Sequence, residues 1–127
     1  ILAYTPIADP NLPLNFTFAN HAFDLTAYQY GIEQANFGFS EPISVTIHYS
    51  DDDIGELDEL DEAELTLLVW NGTNWVDATT TCIPVSTYDH NLNDNVISLS
   101  ICHVSRFALA INRDINNVFL PILQKGD

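Results

Sequence analysis

Two short stretches of strict two-residue alternation limit what this chain can become. In residues 43–49, Ile43, Val45, Ile47 and Tyr49 alternate with Ser44, Thr46 and His48; in residues 96–101, Ile97, Leu99 and Ile101 fall on one parity. Successive side chains of a strand point to opposite faces, so this spacing gives one buried face and one solvated face. A helix would scatter the same side chains around its axis. The apolar members of each stretch are the expected inward set.

The rest of the chain has the same character. Residues 65–70 are nearly all apolar and predict a strand covered on both faces. Asn71-Gly72 follows at once, and both residues tolerate positive φ, so a hairpin is expected with residues 75–78 as the return strand. Residues 91–95 read as a polar turn, and 107–111 and 118–123 as further strands, the last interrupted by Pro121. Aromatic and β-branched runs at 2–7, 14–18 and 22–30, between Pro10, Pro13 and Gly31, predict three more. Strands this short at spacings near ten residues predict an all-β fold, an antiparallel β-sandwich with no long helix. With 127 residues, no repeat and no linker, one domain spanning 1–127 is expected.

Charge removes whole classes of partner. Three basic residues against 18 acidic ones leave a formal charge of −15. Such a chain is repelled by nucleic-acid phosphates and by anionic lipid, and no apolar run nears the roughly 20 residues that span a bilayer. Neither nucleic acid nor a membrane span is expected. Nine of the 18 acids lie in residues 51–64, which leaves nine acids against three bases elsewhere. That run reads as a solvated connection with a short helical turn that tucks Ile54, Leu57 and Leu60 against a sheet. The alternative is calcium held by Asp51, Asp53 and Glu56, although the spacing does not fit a helix–loop–helix calcium loop.

Cys82 and Cys102 are the only cysteines, twenty positions apart and without CxxC spacing, which fits one disulfide better than a metal site. A disulfide places the chain outside the cell or at its surface. There, the sequons at Asn15 and Asn71 permit glycosylation. His21, His48, His90 and His103 fall in separate segments without zinc-ligand spacing, and there is no phosphate loop or nucleophile elbow. No cofactor and no turnover enzyme are expected.

Residues 102–109, Cys-His-Val-Ser-Arg-Phe-Ala-Leu, carry the most chemistry. A His two positions before a Ser at a strand-to-strand turn can act as base on that hydroxyl. With Trp70, Trp75, Cys82 and Cys102, this stretch resembles the self-cleavage (GPS/GAIN-type) segment of adhesion-type receptors, and the His-Phe-Ser site of autoprocessing β-domains in some death-domain proteins. The resemblance covers about residues 43–111. It implies His103 as base, Ser105 as nucleophile and a single cut between Val104 and Ser105 by N-to-O acyl shift. Two features depart from it: Val104 stands where Leu or Phe is usual, and Cys102 adjoins His103 directly. The chain is more similar to a module of bacterial secreted multidomain proteins, with Thr-Ile-His-Tyr-Ser-Asp, Trp-Asn-Gly, a second Trp and His-x-Ser-x-Phe-Ala-Leu. That resemblance implies a static role, His103 and Ser105 capping a turn.

Both ends carry apolar runs, 1–7 and 116–124, and the ending Phe119-Leu120-Pro121-Ile122 is similar to the tails of surface proteins from filamentous bacteria. Either end could complete the sheet of a neighbouring copy by strand addition. The expected object is thus a structural module of a bacterial surface protein, adhesin or extracellular filament. Its expected partners are other copies of itself or neighbouring domains. The alternative is a domain that cleaves itself once.

Overall fold

The computed structural model describes residues 1–35, 37–54 and 62–112, and they form an antiparallel β-sandwich with one disulfide and no long helix. Nine strands run in chain order: β1 Leu2–Pro6, β2 Phe16–Gln29, β3 Ile32–Glu33, β4 Gly38–His48, β5 Leu65–Trp70, β6 Trp75–Asp77, β7 Asp89–Asn91, β8 Val96–His103 and β9 Arg106–Asn112. The larger sheet has six strands in the order β1-β2-β9-β5-β6, with β3 paired to β2; the smaller has three, β4-β8-β7. The run at 118–123, Leu57 and Leu60 lie outside the described residues.

The alternating stretches behave as their spacing predicts. Ile97, Leu99 and Ile101 of β8 are buried with Ile47 and Tyr49, while Ile43 and Val45 pack half-buried against the same core. Opposite them, Phe107, Leu109 and Ile111 of β9 and Leu65, Leu67 and Val69 of β5 complete one apolar cluster. Both faces of β5 and β9 are covered, since Leu68, Ala108 and Ala110 are buried too. Fully burying a Leu, Ile or Phe side chain contributes about 1.5–3 kcal/mol, so this cluster is the main source of stability.

Three local features differ from the sequence expectation. The runs at 14–18 and 22–30 are one 14-residue strand, β2, whose register against β9 shifts between Phe18 and Ala22. Asn20 takes φ 65° there, a conformation Asn tolerates, so the strand bulges instead of ending. At Tyr30 and Gly31, φ values of 54° and 77° turn the chain into β3, a two-residue strand too short to leave a period. Residues 89–91 pair with β8 as β7 despite their polarity, because an edge strand with one wet side needs no apolar alternation. Residue 78 opens a 3-10 turn, Ala78–Thr81, capped by the Asp77 carboxylate on the Thr79 N–H. The acidic run starts with one helical turn, Asp51–Ile54, whose Ile54 is buried.

The disulfide joins this turn's C-terminal end to β8 of the other sheet, and the Cys102 N–H donates to the Thr81 hydroxyl beside it. Closing a loop of this size stabilises the fold by about 3 kcal/mol through the unfolded chain. Replacing both cysteines by serine is expected to lower the unfolding free energy by about that amount in urea titration, and reductant should bring the native chain down to the variant's curve.

Candidate functional site

The β8–β9 connection places the cluster singled out by the sequence. β8 ends at His103 and β9 begins at Arg106, so Val104 and Ser105 cross from the small sheet to the large one. Each is tied to a different neighbour. The Val104 N–H donates to Phe37 O at 2.9 Å, Ser105 O accepts the Leu25 N–H at 2.9 Å, and the Ser105 hydroxyl donates to Trp70 O at 2.7 Å. The His103 ring donates from Nδ1 to Val104 O at 3.2 Å. The hydroxyl proton is therefore spent on a backbone carbonyl of β5, and the imidazole is turned to the carbonyl of residue 104. Val104 itself is buried. Gly72 takes φ 98° in the loop beside them, where the Asn71 side-chain Oδ1 accepts the N–H groups of Thr73 and Asn74. Trp70 and Trp75 pair across β5 and β6 with ring centroids 5.6 Å apart.

Two interior polar nodes carry no signal in the sequence. The Tyr88 hydroxyl donates to the Asp77 carboxylate at 2.6 Å and accepts the Leu67 N–H at 3.0 Å. Burial first, and then the neighbouring Asp77 carboxylate, push its pKa upward and keep it neutral. Two residues along the chain from Tyr88, His90 joins the second node: Tyr49 donates to buried Glu62 at 2.5 Å and lies 2.7 Å from His90 Nε2. The partners are 13 and 41 positions apart in sequence, so spacing could not reveal them.

The candidate calcium ligands are engaged with protein groups. Asp51 accepts from Asn95 Nδ2 at 3.0 Å; Asp53 accepts the Ser50 N–H at 2.8 Å and meets His21 Nε2 at 2.8 Å. Burial would raise the Asp53 pKa, but the Ser50 and His21 bonds outweigh it and hold the carboxyl below its ordinary value. Glu56 lies outside the described residues. Among the described residues no group of three or more His, Cys, Asp or Glu side chains is placed to hold a metal. No helix among them is long and apolar enough to cross a membrane.

The described residues also form an apolar groove. The three-stranded sheet is too narrow to cover the six-stranded one, so the inward side chains of β1 and β2 reach beyond β4. Tyr4, Phe23 and Leu25 above and Ile43, Val45 and Ile47 below line a groove of about 450 Å³. It continues past Leu2 into a second hollow of about 320 Å³ bounded by Phe37 and Phe39. Among the described residues β4 is an edge strand, bonded only to β8. No Asp or Glu lines either hollow, in a chain that has 18 of them. Sequence reasoning identified β4's inward face but could not show that β4 pairs on one side only among the described residues, because sheet width is set by long-range pairing. Comparison with protein-family models, curated proteins and solved structures finds no match for this chain.

Replacing Tyr88 by Phe leaves the Asp77 carboxylate and the Leu67 backbone short of a partner, and is expected to cost about 1–3 kcal/mol in urea unfolding. His90 gives a pH signature. Burial depresses its pKa below 6.5, with the Glu62 charge opposing, so the unfolded chain binds the proton more readily. Its contribution is complete above the unfolded value and declines as pH falls below about 6.5. The urea midpoint should drop between pH 7 and 5.5, and His90→Gln should flatten that slope.

Proposed function

We propose that this chain is a non-catalytic structural module of an extracellular surface assembly, joined to its neighbours through strand edges. The apolar flank of β4 carries the reading. Exposed edge strands are normally blunted by charge, by covering loops or by short length, because their free N–H and C=O groups recruit other strands. Residues 43–48 pair in unbroken register with β8 and present no carboxylate along that edge. Pro42 blunts only the start of the run. The disulfide and the acidic charge agree with a secreted scaffold.

Self-processing between Val104 and Ser105 is the competing reading, and one contact favours it: the His103 Nδ1–H lies against the carbonyl that would be attacked. In that step Ser105 Oγ would add to the Val104 carbonyl carbon, the amide nitrogen would leave protonated, and water would hydrolyse the resulting ester. The hydroxyl's bond to Trp70 O opposes it, since a proton held by a backbone carbonyl has not reached a base. A static turn uses all of these contacts as they stand.

Intact-mass analysis of purified chain, held for days at pH 6 to 8, separates the two. The structural reading expects one full-length species, unchanged in Ser105→Ala. Two fragments, one ending at Val104 and one beginning at Ser105, abolished by Ser105→Ala and by His103→Ala, would establish processing instead.

A further inference from the structure

Resting on that reading, we infer that the apolar run at residues 118–123 of a neighbouring copy lies in the groove as a fourth strand beside β4. The groove and the run match in chemistry. The run is Val-Phe-Leu-Pro-Ile-Leu, six residues without charge, and the groove lining contains no carboxylate that an apolar strand would leave desolvated. They match in length as well. Residues 43–48 offer six positions in unbroken register, about 20 Å of edge, which six extended residues fill.

Pro121 fixes how the strand would sit. Consecutive residues of a strand aim their backbone groups to opposite sides, and Pro121 has no N–H to give. It must therefore face away from β4, which leaves Val118, Leu120 and Ile122 to bond the edge. A proline is tolerated on the outer side of a sheet and nowhere else in it, so the run is suited to an edge position.

Geometry directs the run outward. β9 ends at Asn112, between β2 and β5, where Ile111 pairs with both Thr17 and Leu65. The middle of the groove lies on the far side of β2, two strand spacings across, one sheet separation down and, since Phe23 is level with Phe107, five residues back along β9, a distance of about 21 Å. Residues 113–117 extend to at most about 17 Å. A link so short does not reach the middle of its own chain's groove, whereas the groove of another copy can be brought to it. Contacts of this kind join unlike surfaces, so they propagate head to tail.

Sedimentation velocity of the full chain over a wide concentration range tests this. Native chain is expected to form multimers. Leu120→Glu disables the donated strand, and Tyr4→Glu places a charge in the groove at a side chain already 62% exposed. Each should weaken association by about tenfold or more and sediment as a single chain. Mixed in equal amounts, the two variants should give a two-chain complex and nothing larger, since one retains only the groove and the other only the strand. Leu2→Glu, in the same lining, replaces Tyr4→Glu if that variant loses cooperative unfolding. Multimers that persist in both variants would overturn this pairing while leaving assembly through strand edges standing. A single-chain native protein in which Leu120→Glu accelerates hydrogen exchange of residues 43–48 would mean that each run fills its own groove, overturning the neighbour's role. A single-chain native protein indifferent to Leu120→Glu would overturn the pairing and the assembly reading together.

Discussion

The apolar seam between β8 and β9 is the interaction on which the rest of the molecule depends. Ile97, Leu99 and Ile101 on one side and Phe107, Leu109 and Ile111 on the other share one buried cluster and come from strands separated by only two residues. Everything else is attached to it. β9 takes β2 on one flank and β5 on the other; β8 takes β4 and β7. The disulfide repeats the same sheet-to-sheet connection at the margin, from the turn after β6 to β8.

That dependence also accounts for residues 103–105. A two-residue crossing between sheets leaves its own backbone groups without ladder partners, and buried groups of that kind must be satisfied. Phe37 O takes the Val104 N–H, the Leu25 N–H meets the Ser105 carbonyl and the His103 ring meets the Val104 carbonyl, while the Ser105 hydroxyl donates to Trp70 O. A short polar side chain is needed at 105 to reach the Trp70 carbonyl, and a ring donor at 103 suits the carbonyl at 104. The residue types that suggest a base and a nucleophile are thus also the ones this crossing requires.

How much of this could be read beforehand follows the range of the interactions. Strand faces obey a two-residue rule, so the inward sides of β4 and β8 and the doubly covered β5 were plain from spacing. Asn71-Gly72 marked its turn because positive φ is a property of one or two residues. The fused β2 was hidden because a bulge at Asn20 looks, in sequence, like the polar gap between two strands. The Tyr49–Glu62–His90 and Asp77–Tyr88 nodes were hidden because their members meet only after the sheets have paired. The open flank of β4 belongs to the same class. Among the described residues it arises from six strands facing three, a count that no local segment contains.

The path of the chain through the larger sheet has a mechanical consequence. β1 enters at the end of the sheet where Leu2 pairs with Ala27, and β9 leaves at the other, where Asn112 pairs with Phe16. β2 lies between them and is antiparallel to both, so β1 and β9 run in the same direction. Tension applied between Leu2 and Asn112 would therefore act along the strands, sliding β1 and β9 past β2. Hydrogen bonds loaded in this way share the force across a whole ladder and must break together, whereas a hairpin pulled from one end opens bond by bond. Stretching between these two residues therefore loads the β1–β2 and β2–β9 ladders in shear, the arrangement in which bonds do not open one at a time.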